Sequence, residues 1–275
     1  MLHRLLLLAL LPASLIACPP GSGGDPSPSP SEDDDVIFTP PPDWEGSVSG
    51  AVQAADGTPQ GGIMLTLCGA VCLFTTTEND GSFIYNDVRP LAAVLETSTY
   101  PNSDHLHYSR YFDFLDVGEN EVITIAEPLI IPEITAVNED LSGAQNLDLD
   151  GGLSISFNAD LVELPPDATN VSVGAVELPQ AQWPINGLDG WTIERAWALS
   201  TWDLESKDGF DITAPLSAGL PPGTEVAILY ADYIDGITTG HFMVVESTLA
   251  PDGMSISTPE GQGIERLTLI LAASR

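Results

Sequence analysis

Basic residues are scarce in this sequence. Its 275 residues include 7 Lys and Arg against 40 Asp and Glu, which gives a formal net charge of −33 at pH 7. Since 43% of the residues are hydrophobic, the chain can still bury a core, and its acidity belongs to the surface. A surface of this sign repels phosphate backbones and anionic lipid headgroups. The composition therefore excludes nucleic-acid partners, and it favours solubility with weak cation binding.

Long apolar runs and enzyme signatures are also missing. The longest apolar stretch, residues 5–16, is interrupted by Pro12 and Ser14, whereas a membrane-spanning helix needs about 20 apolar residues. The sequence contains neither a His-Glu-x-x-His pattern nor a phosphate-binding loop. We therefore predict that the protein is not an enzyme.

The first residues have the order of a secretory signal. Arg4 precedes a short apolar run, and small Ala17 stands directly before Cys18. The order Leu15-Ile16-Ala17-Cys18 resembles the lipobox of bacterial lipoprotein signals. This resemblance implies that residues 1–17 are a signal peptide and that Cys18 is acylated. The alternative is an ordinary secretory signal that is cut elsewhere, with Cys18 incidental.

Residues 18–43 lack the composition of a folded segment. Pro19 to Pro42 is dominated by Pro, Gly, Ser and Asp, which leaves too little apolar surface to offset the entropy of ordering. The sequence predicts a disordered tether that starts at the acylated cysteine and holds the rest of the chain off a membrane. The expected location is the cell envelope, at the outer membrane, facing either the periplasm or the surface.

Two cysteines remain beside the predicted anchor. Cys68 and Cys72 are separated by Gly-Ala-Val. Because an exported chain meets an oxidising compartment, we predict a local disulfide across a tight turn. The alternatives are two free thiols or half of a zinc site. The zinc site would need a second Cys pair or a spaced His pair, which the sequence lacks.

Seven Asp-Gly pairs occur along the chain, and short runs rich in Val, Ile, Thr, Phe and Tyr lie between them. Asp-Gly between alternating runs is a strong hairpin signal, and period-two runs favour strands. Beyond the signal we find no sustained helical stripe, so we predict an all-β fold of two β-sandwich domains. The pairs are Asp56-Gly57, Asp80-Gly81, Asp150-Gly151, Asp189-Gly190, Asp208-Gly209, Asp235-Gly236 and Asp252-Gly253.

Residues 44–131 resemble a known domain family. The motifs are Gly46-x-Val48-x-Gly50-x-Val52, Asp56-Gly57-Thr58-Pro59 and a threonine run that enters Asp80-Gly81-Ser82-Phe83. Their order is similar to that of the carboxypeptidase regulatory-like domain, a transthyretin-like sandwich of seven strands that is usually non-catalytic. Asp80-Gly81 is expected to turn the chain. Phe83 and Tyr85 should then share one face of the next strand.

Residues 132–275 are predicted to form a second β-sandwich, of the immunoglobulin-like or a related type. Pro132 marks its start, because proline cannot donate within a central ladder. A strong strand is expected at Val226–Tyr230, and another apolar run covers residues 242–245.

One segment matches the first half of a calcium loop. Asn146, Asp148 and Asp150 place oxygen-bearing side chains at alternate positions, followed by a glycine. Phe157 stands at the twelfth position, where a bidentate Glu would be needed. The alternative is a strand whose leucines point inward and which ends in an Asp-Gly turn. Calcium is the one cofactor that the sequence suggests.

The histidines do not define a site. His3 leaves with the predicted signal, while His105 and His107 lie two residues apart in a predicted loop. These two could join a metal site whose third ligand is unidentified. The alternative is a solvated loop.

Four tryptophans, Trp183, Trp191, Trp197 and Trp202, fall within one short region. Exposed indole faces stack on sugars, so a ligand-stacking platform is one interpretation. The other is a core cluster, since on an extended strand Trp191 and Trp197 share a face while Trp202 takes the opposite one. Burial or display of the rings decides between the two.

Taken together, these patterns predict a lipid-anchored, non-catalytic cell-envelope protein that acts in surface structure or partner binding. The expected partners are the membrane, through acylated Cys18, and envelope proteins or polysaccharide. The alternative function is an anchored carbohydrate-binding module that uses exposed aromatic residues. An unrecognised hydrolase is a remote third hypothesis, because the sequence shows no nucleophile with a base and an oxyanion site.

Overall fold

The computed structural model describes residues 45–98, 107–164, 168–184, 186–200, 204–232 and 241–275. Within these ranges the chain forms β-strands and three short 3-10 helices, so the predicted all-β fold is confirmed. None of the helices in the described ranges is long and apolar enough to cross a membrane. Asp43–Arg275 forms one compact unit.

Among the described residues, two four-stranded sheets precede Pro132. Sheet I has the order β4-β1-β7, with β8 also paired to β1, and sheet II has the order β3-β2-β5-β6. The strands are β1 (Gly46–Gln53), β2 (Met64–Cys68), β3 (Cys72–Thr76), β4 (Ser82–Val88), β5 (Leu91–Ser98), β6 (Phe112–Val117), β7 (Val122–Thr124) and β8 (Leu129–Ile130).

The turn before β4 forms as its residues predict. Gly81 has a φ of 80°, which favours glycine, and the Ser82 N–H donates to Asp80 Oδ1 at 3.0 Å. Phe83 and Tyr85 are each 4% exposed on the inner face of β4. The prediction that these two rings share a face is confirmed.

β7 and β8 together make an interrupted edge of sheet I. Both run parallel to β1, with Ser49 opposite Thr124 and Val52 opposite Leu129. Between these two pairs, β1 has two residues (50–51) where the edge has four (125–128). The two extra residues make the edge loop outward. The described part of this sandwich consequently has eight strands, where the family resemblance implied seven.

Two larger sheets follow Pro132 in the part of the chain that the structure describes. Sheet III has the order β17-β16-β21-β14-β13-β9, and sheet IV has the order β10-β11-β15-β19-β18, with β12 and β20 also paired to β15. The strands are β9 (Val137–Asn138), β10 (Ala144–Asp148), β11 (Ser154–Asn158), β12 (Val162–Glu163), β13 (Val173–Glu177), β14 (Thr192–Leu199), β15 (Leu204–Pro215), β16 (Val226–Tyr230), β17 (Met243–Glu246), β18 (Thr248–Leu249), β19 (Ser255–Ser257), β20 (Ile264–Leu267) and β21 (Leu269–Ser274). The 3-10 helices are Asp150–Gly152, Ala159–Leu161 and Gln180–Gln182.

The sheets stack in the order I, II, III, IV, and an apolar core lies between each neighbouring pair. The first core joins sheets I and II and includes Val48, Leu65, Phe83 and Leu95. The third core joins sheets III and IV. The middle core joins sheets II and III, and therefore connects the two halves of the folded chain; its buried members are Val94, Phe112, Phe114, Leu178, Trp191, Ala196, Ala198, Ala227, Leu229, Ala231, Phe242, Leu269, Leu271 and Ala273.

Sheet III is covered on both faces, and its sequence reflects this. In β16, Ile228 faces the third core and Leu229 faces the middle core. Every residue of β16 and of β21 is buried. A strand that is buried on both faces has no polar side to alternate with, so these strands are continuous apolar runs. Ile131–Pro132 lies between β8 and β9, and the division into domains 44–131 and 132–275 stays a prediction.

Candidate functional site

The predicted disulfide is confirmed. Cys68 ends β2 and Cys72 begins β3, directly opposite each other in the hairpin. Their Cα atoms are 4.0 Å apart and their sulfur atoms are bonded. Gly69 follows at once, where an added Cβ would come within 2.5 Å of the Ala92 carbonyl oxygen, so the hairpin end requires a glycine there. Several other sequence predictions lie outside the described residues: the signal peptide, Cys18 with its tether, His105, Trp202 and the turn at Asp235-Gly236.

The candidate calcium residues lie along a strand rather than around a cavity. Asn146 and Asp148 belong to β10, which pairs with β11 along its whole length. Asn146 Oδ1 accepts hydrogen bonds from two serine hydroxyls of β11 at 3.3 and 3.2 Å, and Asp150 Oδ2 accepts from the Glu177 N–H at 2.9 Å. In the described ranges no three His, Cys, Asp or Glu side chains are grouped to hold a metal. Because Leu147 is buried, the geometry favours the strand interpretation over the calcium loop.

His107 and His241 both lie at the surface. His107 is exposed, with Nδ1 3.4 Å from the Ile134 carbonyl oxygen. His241 Nδ1 lies 3.5 Å from Asp189 Oδ2, and these side chains are 38% and 67% exposed.

Two of the tryptophans are core residues. Trp191 is 7% exposed and Trp197 is fully buried, so neither ring is available to stack on a sugar. They also do not share a face as strict alternation predicted, because Trp191 packs in the middle core and Trp197 in the third core. The cause is a β-bulge between Ile193 and Arg195, where the register of β14 against β21 shifts. A one-residue shift moves every later side chain to the opposite face.

A cleft of about 710 Å³ opens at the edge of the first sandwich, against the second. Leu95, Leu115 and Leu129 contribute its apolar floor. One wall is the outward loop of residues 125–128 between β7 and β8, and the other comes from residues 181–183 and Asn186 of the second half. The volume lies within the range of about 300–1,000 Å³ that is typical of small-molecule sites.

Asp113 brings a carboxylate into this cleft. It lies opposite Leu95, which packs in the first core, so its side chain points to the same face. Asp113 is only 6% exposed. Its Oδ2 lies 3.5 Å from the Tyr111 hydroxyl, which is within reach of a hydrogen bond from the phenol. Burial raises the pKa of Tyr111, and the negative charge of Asp113 raises that pKa further, so the phenol keeps its proton.

Side chains close the free edge of β6 where it borders the cleft. The Thr97 N–H donates to the Tyr111 carbonyl at 3.1 Å, so by alternation the backbone of Phe114 points away from β5. The Phe114 N–H donates to Asp113 Oδ1 at 2.8 Å, and its carbonyl accepts from Asn186 Nδ2 at 2.7 Å. Both backbone groups are therefore satisfied without a further strand.

Trp183 completes the cleft. It follows the 3-10 helix Gln180–Gln182, and its indole N–H donates to the Leu178 carbonyl at 2.9 Å. The half-buried ring packs against the middle core and also lines the cleft. Among the described tryptophans that the sequence suggested for stacking, Trp183 is the one that lines the cleft together with the Asp113 carboxylate and the Asn186 amide.

Sequence reasoning missed Tyr111, Asp113 and Asn186. A signal existed for Asp113, because it stands between two phenylalanines in a strand whose other inward positions are apolar. A carboxylate at an inward position is costly unless it is paired or functional. No local pattern marks Asn186, whose role depends on a contact between residues 72 positions apart.

Titration of the tyrosines tests the burial of three phenols, of which Tyr111 lines the cleft. Burial raises the pKa of Tyr85. Burial, with a contribution from the negative charges of Asp232 and Glu265, raises the pKa of Tyr230 to about 12. We expect these two phenols and Tyr111 to stay protonated in the folded protein at about pH 11, one unit above the ordinary value of about 10. Since the folded state holds these protons more tightly, its free energy of unfolding should fall as the pH rises above about 10. Ultraviolet difference absorbance measures the phenolates; a Tyr111→Phe variant should lose one late-titrating group, and an unchanged titration would contradict the assignment.

No protein-family model and no curated protein sequence matches this chain. Among solved structures, a candidate carbohydrate-binding protein from Bacteroides uniformis is similar at 9% identity and a TM-score of 0.26, over 84% of this chain and 80% of that one. The major pilin SpaA of Corynebacterium diphtheriae (9% identity, TM-score 0.23) and the fimbrial protein FimP of Actinomyces oris (10% identity, TM-score 0.22) also match over 84% of this chain. The matches span 58% and 57% of the two pilus proteins. At TM-scores this low, these likenesses carry no argument about function.

Proposed function

We propose that this chain is a lipid-anchored, non-catalytic binding protein of the cell envelope, attached to the outer membrane through acylated Cys18. The observation that carries this proposal is the order Leu15-Ile16-Ala17-Cys18 after a short apolar run, which resembles a lipoprotein signal. Residues 18–43 would then tether the folded unit to the lipid. Because one acyl chain binds a membrane only marginally, the lipoprotein type of modification, with several chains on one cysteine, would give the stable anchor.

The folded part is compatible with export. Cys68 and Cys72 are disulfide-bonded, and disulfides persist in oxidising compartments outside the cytoplasm. The resemblance of residues 44–131 to the carboxypeptidase regulatory-like domain is supported by the turn at Asp80-Gly81 and the inward rings of the following strand. We assign this sandwich the role of a non-catalytic module, with residues 132–275 as a second one.

One observation favours the second candidate function, an anchored carbohydrate-binding module. Trp183, Asp113 and Tyr111 line the same cleft, which combines an aromatic surface with hydrogen-bonding groups. Small-molecule sites commonly have this character, with mostly apolar linings and a few placed polar groups. Polysaccharide is accordingly the partner that we favour over envelope proteins.

Replacing Cys18 by alanine tests the anchor. We expect the variant to incorporate no labelled fatty acid, because the acylated thiol is gone, and to accumulate either as an uncleaved precursor or as a soluble chain. Metabolic labelling with palmitate followed by membrane fractionation measures both effects.

The matched control for the anchor is the double variant Cys68→Ala/Cys72→Ala, which keeps Cys18 as its single cysteine. It should still take up lipid and remain with the membrane. If Cys18→Ala stays acylated and membrane-bound, the anchor proposal is wrong.

A further inference from the structure

The cleft has the two kinds of surface that a sugar ring requires. A pyranose presents an apolar C–H face and an edge of hydroxyl groups. The Trp183 ring is fixed by its indole bond to Leu178 and by packing on the middle core, so it offers a preorganised apolar surface at little entropic cost. Asp113, whose Oδ1 accepts from the Phe114 N–H, supplies an acceptor on the neighbouring wall. The Tyr111 hydroxyl, whose proton is directed at Asp113 Oδ2, adds a second acceptor there.

The charge of the cleft selects among sugars. Asp113 and Glu127 are its ionisable acids, and no Lys, Arg or His stands among the described residues that line it. The whole chain carries a formal charge of −33. A uronic acid or sulfated sugar would therefore meet like charges at close range, whereas a neutral sugar would not.

The geometry of β6 argues against an extended peptide as the occupant. A peptide that adds to a sheet edge needs free N–H and C=O groups on that edge. At Phe114 both groups are already bonded, to the side chains of Asp113 and Asn186. A peptide strand would have to break both bonds before it could pair.

We infer that this cleft is a glycan-binding site for neutral sugars, with Trp183 as the stacking surface and Asp113 as the main hydroxyl acceptor. The inference rests on the proposed binding function and names its ligand class. The site lies at the boundary between the two sandwiches, because Trp183 comes from the second half of the folded chain and Asp113 from the first.

Calorimetric titration of the purified full chain tests this site with cellohexaose, mannohexaose and chitohexaose. We expect at least one of these neutral hexasaccharides to bind, and Trp183→Ala to weaken that binding by about tenfold or more. Asp113→Asn should also weaken it while retaining an acceptor for the Phe114 N–H, so the fold is kept. The matched control is Phe74→Ala, an aromatic residue outside the cleft that is 65% exposed, which should leave binding unchanged.

The inference is wrong if none of the three neutral hexasaccharides binds, or if binding survives Trp183→Ala. It is also wrong if a galacturonic acid hexamer binds equally well. Binding of a strand-forming decapeptide of alternating threonine and valine in the cleft would likewise overturn it. Analysis of the hexasaccharides after incubation separates this inference from the proposed function. Binding with cleavage would support the site and overturn the non-catalytic role, while a failed Cys18 experiment would leave the site untouched.

Discussion

Replacing Phe114 by alanine should lower the free energy of unfolding by about 3–5 kcal/mol, the usual cost of deleting a buried phenylalanine. Phe114 is 2% exposed in the middle core. Its ring meets Phe112 and Phe242 edge to face, with centroids 5.2 and 5.1 Å apart, and such pairs add to the stabilisation from burial alone. Urea-induced unfolding, followed by circular dichroism, measures the loss.

Phe74→Ala is the matched control, because Phe74 belongs to the same sheet but is 65% exposed. Its effect should stay within about 0.5 kcal/mol, as is usual for surface substitutions. If both variants lose the same stability, the middle core is not what holds sheet II against sheet III. A split of the unfolding curve into two transitions in Phe114→Ala would instead indicate that the two halves unfold as separate units once their shared core is weakened.

The parts of the fold that depend on neighbouring residues could be predicted from the sequence. The turn at Asp80-Gly81 needs only a positive φ and an aspartate side chain that reaches two residues ahead. The Cys68–Cys72 bridge needs only a hairpin and an oxidising compartment. Period-two alternation in β1 and β4 places Val48 and Phe83 inward because sheet I packs against sheet II on one face only.

The parts that depend on distant contacts could not be predicted. The continuous apolar runs of β16 and β21 do not reveal which residue faces which core, because both faces are buried. The bulge between Ile193 and Arg195 has no signal in the sequence, yet it moves Trp197 into a different core from Trp191. In a sheet that is covered on both faces, one residue of register decides which of the two cores receives an indole.

The cleft shows the same limit. Of the four tryptophans that the sequence grouped together, Trp183 alone among those described lines the cleft. It does so because the chain leaves the strands after β13 for a short 3-10 turn before β14 begins. Its companions come from β6 and from the break between β7 and β8, which both lie much earlier in the chain. Only the stacking of sheets II and III brings these elements together.

Replacing Arg110 by methionine should lower the free energy of unfolding by about 3–5 kcal/mol, the usual cost of removing one partner of a buried ion pair. The Arg110 guanidinium pairs with the Glu96 carboxylate, and these side chains are 27% and 3% exposed. Glu96 lies in β5, between Thr66 of β2 and Phe112 of β6, and its side chain has almost no contact with water. The variant therefore keeps a buried carboxylate without the charge of Arg110 beside it. Urea-induced unfolding again measures the loss.

The double variant Arg110→Met/Glu96→Gln separates charge from packing. With both charges gone, no desolvated ion remains, so the double variant should recover most of the stability that the single variant loses. Lys207→Met is the control, because the Lys207–Glu163 pair, at 2.7 Å, has side chains that are 70% and 57% exposed. Exposed pairs contribute little, so this variant should unfold at nearly the wild-type urea concentration. If the double variant stays as unstable as Arg110→Met, the arginine stabilises sheet II through the packing of its aliphatic stem rather than through its charge.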